Sequence, residues 1–247
     1  MAKIWFFGDS FTAGAGLCFK EYIDKTSSNY IENLDIYNDL HWGRLEWMNQ
    51  FTDWKNTYED HIYPNHFSRS LNLDFINRGE GGASNDRIIH KIFSDLKDFK
   101  SDDIVVIGMT AYARVLIPSK AKSKLMQHAG SDGTFTFVQG GIDRGSSKAK
   151  GAITNFCHEI LYKNDNAVFL YYTKLFENIR KSLLTVVKDV MVWDYYHWDF
   201  HLKIRDWTKG EVDDGHWSPQ GHKHFAEYLL KNYHENKHIL FKQKSII

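Results

Sequence analysis

KIWFFGDSFTAGAG, residues 3–16, decides how this chain is read. Lys3 to Phe7 form a short run apolar on both faces, the pattern of a strand in the middle of a parallel sheet. The run breaks at Gly8 and is followed at once by an acid, a hydroxyl and a string of small residues. In an open parallel α/β sheet, ligands bind at the carboxyl ends of the strands, where the strand order reverses. A first strand that runs straight into Gly8, Asp9 and Ser10 puts a hydroxyl at such an end.

The rest of the chain repeats the alternation. LDFIN at 73–77 and DIVVIG at 103–108 have the same strand character as the first run. Between them, Ser84 to Phe99 opens with Ser-Asn-Asp and places Ile88, Ile89, Ile92, Phe93 and Leu96 on one stripe, which predicts a capped amphipathic helix. DVMVWDY at 189–195 follows a long helical pattern and predicts a further strand. A last helix is expected from about Pro219 to Asn236, with Phe225, Tyr228, Leu229 and Asn232 in register. Strands alternating with helices imply a parallel sheet covered on both faces. Two regions stand outside the pattern: residues 20–60 are aromatic and polar without clean period, and GSDGTFTFVQGGIDRG at 130–145 reads as a Gly-punctuated hairpin. Both are expected to be insertions, near 20–60 and 115–145, in a single domain spanning 1–247.

Composition bounds the function. The 247 residues are 43% hydrophobic and 25% charged, ordinary for a globular protein. Lys and Arg together number 31 and so do Asp and Glu, a net charge of +0 that gives no pull toward nucleic acid or anionic membrane. Cys18 and Cys157 are too few for a disulfide framework, so reduced thiols are expected. No signal-like h-region follows Met1 and no run reaches the roughly 18 apolar residues of a membrane span, which points to a cytoplasmic protein.

A serine hydroxyl is a poor nucleophile until a base takes its proton. VDDGHWSPQGH, from Val212, supplies an imidazole and a carboxylate in one loop, with Asp213 three residues before His216 and directly ahead of the last helix. Asp214 is the alternative orienting acid. NRGEGGASN, from Asn77, offers Gly79 and Gly82, whose N–H groups are suited to approach a developing oxyanion.

Taken together, FFGDSFTAG, NRGEGG and DDGHWSPQG resemble, in order and across nearly the whole chain, the blocks of the SGNH or GDSL hydrolase superfamily. The resemblance implies a three-layer α/β/α sandwich with a flavodoxin-like parallel sheet, the SGNH hydrolase fold. It matches Ser10 to the nucleophile, His216 to the base and Asp213 to the acid, and Ser10 and Gly82 to oxyanion-hole N–H donors. One block departs. Where the superfamily has G-x-N-D, this chain reads GMTAYAR from Gly108, so Thr110 stands in the slot of the third oxyanion donor, with Asn85 and Arg114 as substitutes. That departure and the absence of a signal peptide also match a phage-encoded member. By resemblance the activity is hydrolysis of a small acyl ester, foremost O-acetyl groups on a carbohydrate, through an acyl-enzyme and with no cofactor and no metal. Hydrolysis of lipid esters or thioesters by the same triad is the first alternative, and a non-catalytic glycan-binding or structural module on the same scaffold the second. The expected partner is a small-molecule or carbohydrate ester, with no nucleic acid and no membrane.

Plainer readings compete at several positions. Ser10 also suits a helix N-cap, and Asp9 a bond to the local backbone at the turn. His197 and His201 lie four apart, but their aromatic-rich surroundings favour packing over metal binding. His222 and His224, two apart on a helix, do not face one site. Trp42, Trp47, Tyr195, Tyr196 and Trp198 are candidate stacking platforms for a sugar and equally candidate packing residues.

Overall fold

The computed structural model describes residues 1–14, 59–80, 83–110, 114–118, 135–139, 165–194, 217 and 219–241. Its strands are β1 (Lys3–Phe7), β2 (Asp74–Asn77), β3 (Ile104–Met109), β4 (Arg114–Pro118), β5 (Phe135–Gln139), β6 (Asp189–Asp194) and β7 (Ile239–Leu240). Its helices are α1 (Ser10–Ala13), α2 (Tyr63–Leu71), α3 (Asn85–Asp95), α4 (Asp165–Leu183) and α5 (Pro219–His234). Five strands form one sheet in the order β2-β1-β3-β6-β7, every pair parallel. Counted within that sheet alone, the order is 2-1-3-4-5, the flavodoxin-like doubly wound arrangement, whose switch point lies between β1 and β3.

Alternation along the strands sorts their side chains into two cores. Trp5, Phe7, Val105, Ile107, Met109, Val190 and Val192 point to one face, against Ile88 and Ile92 of α3 and Phe169, Tyr172, Phe176, Ile179 and Leu183 of α4. Ile4, Phe6, Ile104, Val106, Met191 and Trp193 point to the other, against Tyr63 and Phe67 of α2 and Phe225, Ala226 and Leu229 of α5. The molecule is thus a three-layer α/β/α sandwich. All six residues of β3 are buried, which is why the central strands read as continuous apolar runs. Each fully buried Ile or Phe in these layers contributes roughly 1.5–3 kcal/mol by removal from water.

Three local expectations are corrected. β2 is an edge strand with no fully buried residue, because only β1 pairs with it. The stripe expected on α3 is narrower than read: Ile88 and Ile92 are buried, whereas Phe93 is 57% exposed and Leu96 stands at the rim. β5, inside the stretch read as a hairpin, pairs antiparallel with β4, residues 114–118, in a small sheet of its own. Apart from the ends at 59–60 and 114–118 and the strand 135–139, the insertions near 20–60 and 115–145 lie outside the described residues, as do Cys18 and Cys157. Among the described residues no helix is long and apolar enough to cross a membrane.

Asp103, at the amino end of β3, is a buried carboxylate with a structural task. It accepts the Lys3 N–H at 2.8 Å, the Trp5 indole N–H at 2.8 Å and the Lys100 N–H at 3.0 Å. A buried carboxylate so saturated locks the start of β1 to β3 and fixes their register.

Candidate active site

The site begins where β1 ends. Gly8 is required there because a Cβ would collide with the Thr12 hydroxyl of the helix that follows. That contact lets the chain reverse tightly enough to start α1 at Ser10. Asp9, not Ser10, is the N-cap: its Oδ1 accepts the Phe11 N–H at 3.1 Å. The capping reading of Ser10 is therefore set aside. Ser10 is 5% exposed, and among the described residues its hydroxyl has no hydrogen-bond partner. Gly14, in the left-handed region at φ 78°, ends the helix after a single turn.

Asp9 reaches across the switch point as well. Its Oδ2 accepts the Thr110 hydroxyl at 2.6 Å, tying the turn after β1 to the exit of β3. Thr110 is held on its other side by Asn85, whose Oδ1 accepts the Thr110 N–H at 2.9 Å and whose amide donates to the Thr110 carbonyl at 3.1 Å. Asp9, Thr110 and Asn85, all nearly or fully buried, thus form one connected polar network beside Ser10. In this arrangement the single hydroxyl proton of Thr110 is directed to Asp9, and the Asn85 amide serves the Thr110 backbone. Arg114 begins β4, on the small sheet.

The segment after β2 is laid along the same end of β1. Arg78 N–H donates to the Phe6 carbonyl at 2.8 Å and Glu80 N–H to the Gly8 carbonyl at 3.1 Å. Asn77 donates to the Thr12 carbonyl at 2.8 Å and accepts the Gly79 N–H at 2.9 Å. The Gly79 N–H is therefore used within its own turn. Its lack of a side chain serves close approach, since a Cβ would meet the backbone of Ala13 and Thr12. The segment resumes at Ala83, whose N–H donates to the Glu80 carbonyl at 3.1 Å. Gly82 falls between, outside the described residues, as do Asp213, His216, His197, His201 and the aromatic set Trp42, Trp47, Tyr195, Tyr196 and Trp198.

Beneath α1 lies an aromatic floor that sequence reasoning missed. Trp217, 1% exposed, packs on Phe11 with ring centroids 4.8 Å apart, and on Phe225 at 4.5 Å. Tyr63, fully buried, shares a hydrogen bond of 2.9 Å with the Thr12 hydroxyl, and its N–H donates to His222 Nδ1 at 3.3 Å. Burial pushes the Tyr63 phenol well above its ordinary range. His222 is buried against this floor, whereas His224 bonds Gln220 near the surface at 2.7 Å, so the two imidazoles do not share a site. The only sequence trace of the floor is the spacing of Trp217 and Phe225 about the start of α5, which composition alone does not single out. No group of three or more His, Cys, Asp or Glu side chains among the described residues is arranged to hold a metal ion.

No protein-family model and no curated protein matches the chain. Solved structures do. The chain is similar to a putative lipolytic protein of the G-D-S-L family from Desulfitobacterium hafniense DCB-2, with TM-score 0.36, 12% identity, and coverage of 94% of this chain and 99% of that one. It is similar also to a member of the lipolytic G-D-S-L family from Veillonella parvula DSM 2008, with TM-score 0.37, 12% identity, and coverage of 95% and 99%. A third is a carbohydrate esterase whose active site displays divergent catalytic and non-catalytic binding functions, with TM-score 0.40 and 13% identity; 95% of this chain matches 65% of that one. Likenesses this distant carry nothing about what the chain acts on, and the α/β/α sandwich rests on its own sheet order and layers.

Proposed function

We propose that the chain is a serine ester hydrolase of the SGNH type, with Ser10 as nucleophile, His216 as general base and Asp213 orienting the imidazole. The observation that carries this reading is the division of labour at the β1 turn. Asp9 takes over helix capping, so the Ser10 hydroxyl is left for other chemistry at the switch point of a doubly wound sheet. Trp217, the neighbour of His216 in sequence, packs against Phe11, the neighbour of Ser10, which favours an encounter of imidazole and hydroxyl.

In the proposed cycle, His216 takes the Ser10 proton as Oγ attacks the ester carbonyl, and Asp213 stabilises the imidazolium that forms. The N–H groups of Ser10 and Gly82 receive the oxyanion, the alcohol leaves with the proton carried by His216, and water then hydrolyses the acyl-enzyme. The Thr110 hydroxyl proton is given to Asp9, and in this reading the hole is left with two N–H donors and turnover is slow. The substrate class proposed is a small acyl ester, foremost an O-acetyl group on a carbohydrate. Release of acetate from acetylated oligosaccharides by the wild type, with none from Ser10→Ala, supports it. Hydrolysis of acyl thioesters or lysophospholipids but not of acetylated sugars moves the substrate to the lipid class. Glycan binding without any Ser10-dependent hydrolysis overturns the enzyme reading.

A further inference from the structure

Arg87, Lys91 and Asp95 are spaced four apart on α3 and so share one stripe of the helix. All three reach the segment that follows β2. Arg87 Nε donates to Glu80 Oε2 at 3.3 Å, and Lys91 Nζ lies 2.6 Å from the same oxygen. Lys91 Nζ also donates to the Arg78 carbonyl at 3.0 Å, and the Arg78 guanidinium donates to both Asp95 oxygens at 2.7 and 2.6 Å. The two pairs to Glu80 are not loose surface pairs, since the Arg87 side chain is 4% exposed and those of Glu80 and Lys91 about a fifth, whereas Arg78 is 45% exposed over a nearly buried Asp95. Burial lowers the Lys91 ammonium from its ordinary range, with the Glu80 carboxylate acting in the opposite direction. Withdrawing charges from water to this degree is costly, and only good geometry offsets it.

What the stripe grips is the segment that grips the Ser10 turn. Glu80 N–H holds the Gly8 carbonyl, Arg78 N–H holds the Phe6 carbonyl, and Asn77 holds the Thr12 carbonyl. Carbonyls before and after Ser10 are thereby fixed from one short stretch, which in sequence leads directly into Gly81 and Gly82. We propose that Glu80, clamped by Arg87 and Lys91 of α3, is a positioning residue for the Ser10 nucleophile, acting through its backbone bond to Gly8. The inference rests on the reading of Ser10 as nucleophile. A clamp of this kind acts on the geometry of attack more than on ground-state binding, so its loss lowers kcat and leaves KM nearly unchanged.

The test is hydrolysis of p-nitrophenyl acetate by the full chain and by Ser10→Ala, Glu80→Gln, Lys91→Met and Lys91→Arg, with melting temperatures measured alongside. Displacing a reacting group by 1 Å costs on the order of a hundredfold, so a loosened clamp is expected to lower kcat about tenfold in Glu80→Gln and Lys91→Met, with KM within about twofold. Lys91→Arg, which keeps the charge, restores most of that loss. The rate of fluorophosphonate inactivation falls in parallel with kcat. Unchanged kcat in a folded Lys91→Met variant, with only a lower melting temperature, overturns the inference and leaves the cluster a fold staple. Lys91 sits at the rim, so this variant serves even where Glu80→Gln does not fold. If the wild type and Ser10→Ala hydrolyse the ester equally, the nucleophile reading itself fails and the inference with it, an outcome distinct from the first.

Discussion

The rings of Phe11 and Trp217 lie 4.8 Å apart at a tilt of 48°, joining the residue after Ser10 to the residue after His216 across more than 200 positions of chain. Trp217 is 1% exposed and also packs on Tyr63, Trp193, His222 and Phe225. The pair packs the single-turn helix after β1 against the residue that precedes α5 by two positions.

Trp217→Ala is expected to lose about 3–5 kcal/mol of stability, the usual cost of deleting a large buried aromatic. Trp217→Phe, which keeps a ring against Phe11, is expected to fold but to lower kcat with little change in KM. Chemical denaturation and steady-state kinetics on both variants check this, and full activity in a folded Trp217→Ala would show that the contact does not serve catalysis.

Thr110 offers a second test. Because its hydroxyl donates to Asp9, Thr110→Val removes a partner from a buried carboxylate and is expected to cost about 1–3 kcal/mol of stability. Its effect on kcat is expected to stay well below the hundred- to thousandfold typical of a lost oxyanion donor. A loss of that size in a folded protein would place the Thr110 hydroxyl in the oxyanion hole.

The central strands β1, β3 and β6 were legible because they are buried on both faces and so carry unbroken apolar runs. β7 was not, since two residues at a sheet edge leave no period to read. The extent of the α3 stripe was misjudged at Phe93 and Leu96 for a related reason: helical period marks a face but not where the neighbouring layer stops. The place of Ser10 just past the end of β1 was legible from the strand-to-turn change, and local use of Asp9 from its place at the turn. The bond from Asp9 to Thr110 was not, because it spans 101 residues and depends on the adjacency of β1 and β3. Arg87, Lys91 and Asp95 lie four apart in plain sequence, but charges at that spacing ordinarily mark a solvated face.

Alkaline pH supplies a third prediction. Burial raises the phenols of both Tyr63 and Tyr172, the second with a further push from the carboxylate of Asp86. Unfolding releases these hydroxyls to ionise near the ordinary value of 10.0, so the folded state holds more protons above that pH. The stability they support is complete below pH 10 and is lost as pH rises beyond it, by about 1.4 kcal/mol per pH unit for each phenol. Denaturation midpoints between pH 8.5 and 11.5 check the slope, which is expected to be shallower in Tyr63→Phe; equal slopes would remove Tyr63 from this role.

Gly79→Ala is expected to destabilise the fold, because its Cβ would meet the backbone of Ala13 and Thr12, which cannot rotate away as a side chain can. Relief requires the segment after β2 to move off α1, so the variant should also slow any reaction of Ser10. Wild-type stability and reactivity in Gly79→Ala would show that the close approach is dispensable.

The most direct measurement is intact-mass detection of a fluorophosphonate adduct on the wild-type chain, with Ser10→Ala and His216→Ala beside it. A single adduct on the wild type that is absent from both variants is the predicted result, and it identifies the hydroxyl that Asp9 leaves uncapped as an activated nucleophile. No adduct on folded wild-type protein after prolonged exposure, or an adduct that persists in Ser10→Ala, contradicts it.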